Sequence, residues 1–470
     1  MNGGMYTNLT RMLADKRDVS RSDLIKIVLQ MSLPAILAQM MTIMTSYIDA
    51  AMAGSLGAEA SAAIGLVAST TWLFGGMCVA VSTGFSIQSA QLIGAGERRI
   101  ARHVLRQAII AGLVFSLLLM TVGVMIAPIL PRWLGGSEEI LSDAIAYFMV
   151  FSITVPVLQI ENVFGSMLQS SGNIRTPSII NGIYCLSDIF WNFFLIYPSR
   201  TISVFEVQLC VPGAGLGVTG AALGTSIALV ISACMMFYAV WRSPVFRRFQ
   251  IGSWRIDIDI LKKAVKLGSP VGMEFVLMNS AMVAVIKIIA PLGAVAIAAN
   301  SFGVTAESFC YMPGYGIAAA ASPLIGQSLG AGRFDLLKRF AHITISMGMI
   351  IMGIAAVIMY IAVPWIFAFL TPDHSVRALG VEIMRIEMWA EPLFGAAIVS
   401  AGVLRGAGDT LVPAVLNLCS VWIVRIPLTL VLVSSMGLYG AWTAMCIELC
   451  CRGIIMLIRV RTSQKLRAAA

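Results

Sequence analysis

Leu56-Gly57-Ala58 and Gly94-Ala95-Gly96 return as Leu292-Gly293-Ala294 and Gly330-Ala331-Gly332, at a constant offset of 236 residues with no gap between the two landmarks. In the same register Ala62-Ala63 meets Ala298-Ala299, Ser86 meets Ser322, and Gln91 meets Gln327. Further out, Pro34, Pro156 and Pro177 meet Pro270, Pro392 and Pro413, while Leu168, Gly172 and Asn181 meet Leu404, Gly408 and Asn417. A chain rich in Ala and Gly produces scattered matches by composition, but not three prolines and a glutamine in one register. Near the end of each half the register shifts, and Gly217 and Gly220 match Gly437 and Gly440 at an offset of 220. The extra length falls in an expected loop from Arg200 to Pro212.

Each copy has the composition of a membrane domain. The 470 residues are 59% hydrophobic and 12% charged, whereas a soluble domain carries about 25% charged residues. Apolar runs long enough to span a bilayer, roughly 20 residues, begin near Ile25, Ser61, Val104, Asp143, Pro177, Gly217, Leu261, Ile297, Leu336, Arg377, Val412 and Leu438. Pro34, Pro156, Pro270, Pro313, Pro392 and Pro427 lie inside them, as membrane helices tolerate. The expected fold is therefore an all-α polytopic membrane protein. Its twelve transmembrane helices form two six-helix lobes related by a pseudo-two-fold axis along the membrane normal. The expected division is an N-terminal cytoplasmic segment 1–24, an N-lobe 25–241, a cytoplasmic linker 242–260, a C-lobe 261–462 and a cytoplasmic tail 463–470.

Basic residues gather in alternate connections. One set holds Arg11, Lys16, Arg17 and Arg21; Arg98, Arg99, Arg102 and Arg106; Arg247, Arg248, Lys262 and Lys263; Arg333, Lys338 and Arg339; and Arg459, Arg461, Lys465 and Arg467. The other holds only Arg132, Arg200 and Arg377. The positive-inside rule then places both termini in the cytoplasm, with the protein in the cell (inner) membrane. The polar stretch Met1 to Arg21 lacks the apolar core of a signal peptide, so the first span is expected to be retained.

Several functions are disfavoured. The net charge of +9 is explained by topology signals, without nucleic acid. The nine cysteines lie in apolar runs, Cys210 excepted, and form no disulfide framework. His103, His342 and His374 are far apart, and no metal-ligand spacing or nucleophile motif is present, so neither an enzyme nor an organic or metal cofactor is expected.

The residues that carry the repeat also carry a resemblance. Asp49-Ala-Ala-Met-Ala-Gly-Ser-Leu-Gly57 resembles the opening signature of the multidrug and toxic compound extrusion (MATE) family. Gly326-Gln-Ser-Leu-Gly-Ala-Gly332, Leu404-Arg-Gly-Ala-Gly-Asp-Thr410 and Trp422-Ile-Val-Arg-Ile-Pro427 resemble later family segments in order. The resemblance covers Ser22 to Arg461 and implies a secondary antiporter. It would export small organic, expected cationic, drugs, amphiphiles or metabolites in exchange for H+ or Na+, as a monomer in the bilayer. The major facilitator superfamily shares the topology, but Gly94-Ala-Gly-Glu-Arg-Arg99 does not match its usual loop. A flippase or exporter of a lipid-linked or polar metabolite is the other reading. It would need a basic central cavity, and the acidic spans argue against one.

Acids inside spans are functional candidates because burying a charge there costs about 2.5 kcal/mol or more. Asp49 lies little more than one turn inside the outer end of the first span. In the fifth, Asp188 and Asn192 share one helix face at i, i+4. The family resemblance implies Asn and Asp here in the reverse order, so the two residue types look exchanged. Asp49, Asp188 and Asn192 are the expected cation-coupling set: two nearby acids in low dielectric share a proton readily, because burial and mutual repulsion both disfavour the second charge.

The C-lobe differs, since Val285 and Val424 stand where the offset places Asp49 and Asp188. The carboxylates implied by the NorM-type branch would fall on Met278 and Phe394, which cannot serve. The resemblance therefore points closer to the DinF-type branch. Glu274, Glu307, Glu391 and Glu161 are candidates for a C-lobe site or the cavity lining, with Arg425 and Glu391 the expected structural ion pair. Glu448 and Arg452 are expected to pair at i, i+4. No metal other than Na+ is expected.

Overall fold

The computed structural model describes residues 12, 20–204 and 207–467. Arg11, Lys16 and Arg17, most of the expected segment 1–24, and residues 468–470 lie outside the described residues. The chain is nearly all helical. Helices α1 (Arg21–Gly54), α2 (Ala58–Gly94), α3 (Arg98–Ile126), α4 (Glu138–Ser170), α5 (Arg175–Ile196) and α6 (Gly217–Arg242) form the first half. The second comprises α7 (Ile258–Ile289), α8 (Ala294–Gly330), α9 (Phe334–Leu370), the bent pair α10 (His374–Glu387) and α11 (Glu391–Gly406), α12 (Leu411–Met436) and α13 (Leu438–Thr462). Both ends of this helical array, Arg21 and Thr462, lie on one side, called here the terminal side.

Among the described residues, ten helices are long and apolar enough to span, and the α10–α11 pair, bent by 59°, makes an eleventh. The twelfth expected span is α8, which is 37 residues long but rich in Ser, Gly, Pro and Tyr. Its buried residues run along its whole length, from Ala296 to Ser328, so neighbouring helices enclose it and it can be less apolar than a lipid-facing span. The bend between α10 and α11 falls just before Pro392, whose ring cannot continue the hydrogen-bond ladder. Residues 420–425 of α12 form a π-helical turn, a local widening often found at functional sites. The expected loop from Arg200 to Pro212 is an antiparallel hairpin, β1 (Pro198–Val204) and β2 (Val207–Ala214).

The repeat is visible in the backbone. Gly57 and Gly293, Gly96 and Gly332, and Gly172 and Gly408 each adopt positive φ at equivalent turns, as do Gly217 and Gly437. These left-handed corners favour glycine, which is why they survive as landmarks in both copies. The two-fold also governs how the halves meet. On the terminal side a Cβ at Gly94 would lie 2.0 Å from the Gln327 carbonyl oxygen, and one at Gly330 would lie 1.8 Å from that of Gln91. Midway, Gly316 packs on the Ile36 backbone and Gly272 on Ala80, again equivalent pairs.

The halves interdigitate. Leu24, Ile27, Val28, Met31 and Ala35 of α1 pack in the apolar core of the second half, while Ala264 of α7 packs in that of the first. Helix α1 thus starts in one lobe and ends in the other. The connection from α6 to α7 is held down too. Arg106 donates from Nε to the Ser253 carbonyl at 2.9 Å and from Nη1 to those of Phe249 and Ile251 at 2.9 and 3.2 Å. Gln107 adds bonds to the Arg255 carbonyl and the Asp257 N–H at 2.8 and 3.0 Å.

Candidate functional site

The expected coupling residues meet. Asn192, on α5, donates its amide to Asp49 Oδ1 at 3.1 Å and to Asp188 Oδ1 at 3.3 Å, so one side chain bridges both carboxylates. Asp188 and Asn192 are each only 1% exposed, and Asp49 is half-buried. Asp188 Oδ2 and Asn192 Oδ1 are buried without a hydrogen-bond partner. Gly224 of α6 makes room for the bridge, because a Cβ there would lie 2.1 Å from Asn192 Oδ1. A small cavity of about 120 Å³, lined by Tyr147, Tyr184 and Thr225, lies between α4, α5 and α6. Tyr184 is one helical turn from Asp188.

Two carboxylates sharing one neutral amide form an electrostatically incomplete site. The amide supplies two N–H donors but no charge, and a proton or cation there removes the repulsion that remains.

The other candidates separate into three groups. Glu161 lines an inter-lobe cavity of about 460 Å³ and accepts from Ser232 Oγ at 3.3 Å. The cavity has walls from both halves, and Gln39, Thr42, Asn162, Asn181 and Arg405 make it polar. It lies between two layers of inter-lobe contact. On the terminal side is the Gly94–Gln327 and Gly330–Gln91 crossing. Toward the far side Tyr47 donates to the Thr305 carbonyl at 2.5 Å and lies 2.8 Å from Ser308 Oγ.

Glu274 stands apart from this lining. It pairs with Arg405 Nη2 at 2.7 Å and accepts from Asn417 Nδ2 at 2.6 Å. Glu307 joins Glu387 and Glu391 deep in the second half, with one carboxylate oxygen of each within 4.8 Å of the others. All three are buried, at 6%, 0% and 0% exposure, and neither oxygen of Glu387 or Glu391 has a hydrogen-bond partner. Three carboxylates so placed could hold a cation or share protons.

The expected Arg425–Glu391 ion pair is not formed. Arg425 Nη2 lies 2.6 Å from Met445 Sδ instead. Position along a span fixes how deep each residue lies but not its azimuth, and on a helix a quarter turn separates partners from strangers. The Glu448–Arg452 pair does form, bidentate at 2.8 Å on both contacts, with Ser420 Oγ donating to Glu448 at 2.5 Å.

Two participants escaped the sequence reading, and a third was read only in part. Glu387 was visible as a face-mate of Glu391, at i, i+4, but nothing brought Glu307 to it. Gly224 bore no signal beyond being a glycine in an apolar run. Arg405 sits in the Leu404-Arg-Gly-Ala-Gly-Asp-Thr410 segment, where a basic residue reads as a topology signal.

Comparison with known proteins agrees with this architecture. The chain is 26% identical over 450 residues to the "Probable multidrug resistance protein NorM" of Thermotoga maritima, covering 93% of this chain and 91% of that one. It is 22% identical over 396 residues to the "Probable multidrug resistance protein YoeA" of Bacillus subtilis, covering 82% of each. The fold is similar to that of the Vibrio cholerae MATE transporter VcmN in the bent form, with a TM-score of 0.83, 18% identity, and coverage of 95% of this chain and 98% of that one. It is equally similar to a MOP superfamily transporter from Pyrococcus furiosus, with a TM-score of 0.84, 17% identity, and coverage of 96% and 99%. The profile of the family described as MatE matches residues 34–194 and again 270–431, one match per half. The chain belongs to the MatE family, the multidrug and toxic compound extrusion transporters.

Proposed function

We propose that the protein exports small organic cations or amphiphiles across the cell (inner) membrane in exchange for H+ or Na+, with Asp49, Asp188 and Asn192 as the coupling site. The observation that carries this reading is the single Asn192 amide bridging two buried carboxylates, one of whose oxygens is left without a partner. In the outward-open form the coupling ion enters this cluster and cancels its charge. The change is transmitted along α1, which bears Asp49 at one end and packs in the opposite lobe at the other. A shift of α1 against α8 closes one side as the other opens, and the polar cavity with Glu161 releases or takes up substrate. Both termini lie in the cytoplasm, the units 25–241 and 261–462 move about the linker 242–260, and a monomer suffices. Coupling from the N-lobe supports the DinF-type over the NorM-type branch.

The Glu307–Glu387–Glu391 cluster supports a second cation site in the C-lobe. The flippase alternative gains no support from the cavity, because Arg405 is already paired with Glu274 and the remaining charged liner is acidic. The test is ethidium efflux from proteoliposomes under an imposed pH gradient or sodium gradient. The proposal expects one of the two to drive accumulation against the substrate gradient. A protein indifferent to both contradicts it.

A further inference from the structure

A second cavity lies outside the transport path just described. A groove of about 810 Å³ runs between α1 and α5, lined by Leu33, Leu37, Met41, Ile179, Ile183 and Leu186. Leu33, Leu37, Ile179 and Leu186 are 58%, 56%, 53% and 64% exposed, so the groove faces the bilayer. Along α5 it extends from Arg175 to Leu186. That distance is about 16 Å at the helical rise, close to the depth of one leaflet of hydrocarbon.

The back of the groove is thin. Ala38 and Ser178 line both the groove and the central polar cavity. Just behind them Asn181 donates to the Ala38 carbonyl at 3.1 Å and to Thr42 Oγ1 at 2.9 Å. The surface is thus apolar on the lipid side and polar on the cavity side, separated by an alanine and a serine. The repeat shows that this thinness is particular to one half. At the equivalent seam of the second half, Glu274 takes the place of Ala38 and Arg405 that of Gln169. There Asn417 and Arg405 hold Glu274 in a hydrogen-bonded ion pair, a plug where the first half has a methyl group.

We infer that the α1–α5 seam is a lateral entry site for an alkylammonium-type amphiphile dissolved in the terminal-side leaflet. The apolar body lies in the groove, and the cationic head passes Ala38 and Ser178 toward Glu161. A resident anionic phospholipid, attracted by Arg175 at the mouth, is the competing occupant. This inference rests on the export reading for its transport arm only; its binding arm stands alone.

The experiment uses the full chain in nanodiscs of phosphatidylethanolamine and phosphatidylglycerol, with a dodecylammonium probe carrying a photoreactive diazirine on its chain. Labelling is expected on residues 30–41 and 175–186. In Gly182→Leu, whose new side chain fills the groove beside the flexible Met41 tip (3.2 Å from a Cβ at that position), labelling should fall at least about fivefold. In proteoliposomes the same variant should slow efflux of the dodecylammonium probe by a similar factor. Efflux of the water-soluble tetramethylammonium ion should stay within about twofold. Labelling elsewhere, labelling unchanged by Gly182→Leu, or labelling abolished by added phosphatidylglycerol overturns the inference. Equal slowing of both probes, or of neither, does so too. If the wild-type protein moves neither probe, the export reading fails while the labelling still decides the entry site.

Discussion

Asn192 and Gly224 show how a site can depend on a residue that performs no chemistry. Asn192 can bridge Asp49 and Asp188 only because α6 presents no side chain at Gly224. Gly224→Ala should therefore push the amide away from at least one carboxylate, destabilise the protein by about 1–3 kcal/mol and weaken gradient-driven efflux more than substrate binding. Thermal unfolding in detergent beside efflux and binding assays would check all three. The buried Glu448–Arg452 pair gives a second prediction at this scale. Arg452→Met leaves Glu448 charged and unmatched in a 0%-exposed position, a loss of about 3–5 kcal/mol. Adding Glu448→Gln should restore most of the lost thermal stability, and a double variant no better than the single would refute the pairing argument. Such pairs were partly legible. Glu448–Arg452 lies on one helix, where i, i+4 spacing settles the contact. Arg425 and Glu391 lie on different helices, where spacing says nothing of rotation, and there the expected pair is absent.

At the level of helices, the glycine landmarks proved to be structural necessities of two kinds. Gly57, Gly96 and Gly172 with their equivalents turn the chain through positive φ. Gly94 and Gly330 let α2 and α8 cross backbone to backbone on the terminal side. Gly330→Ala or Gly94→Ala would bring a methyl within about 2 Å of a carbonyl oxygen, too close for the crossing to persist. Either variant should hold the terminal side open, raise labelling of cavity-facing cysteines such as Ser322→Cys from that side, and stop efflux. Unchanged labelling and efflux would show that the crossing is not a gate. Helix starts were legible to within a few residues because charged and capping residues bound the apolar runs. Helix α8 was legible as an apolar run near Ile297 and again through its repeat partner α2, although a helix enclosed by protein no longer needs all the apolar surface that lipid demands. The hairpin at 198–214 was hidden in a stretch recognisable only as extra length.

Over the whole molecule, the two-fold supplies the frame, and the proposed coupling residues fall where the halves differ. The halves share corners, crossings and the reciprocal exchange of α1 and α7; the offset in the sequence foretold the repeat and its landmarks, while the crossings and the exchange emerge from the packing. They differ in acids: Asp49 and Asp188 have valines as counterparts, and Glu274 replaces Ala38. The Glu307–Glu387–Glu391 cluster, drawn from α8, α10 and α11, was not legible as a unit, because its members come together only through the packing of three helices. In the proposed mechanism the two lobes rock as units, and a charge change at Asp49 would act at one end of the helix that links them.

The most direct test of this account is uphill ethidium efflux from proteoliposomes by Asp49→Asn combined with Asp188→Asn, under whichever ion gradient drives the wild-type protein. The account predicts that the double variant still binds ethidium and exchanges it passively, but loses gradient-driven accumulation by at least about tenfold. Accumulation at the wild-type rate would contradict it and move the coupling site out of the N-lobe.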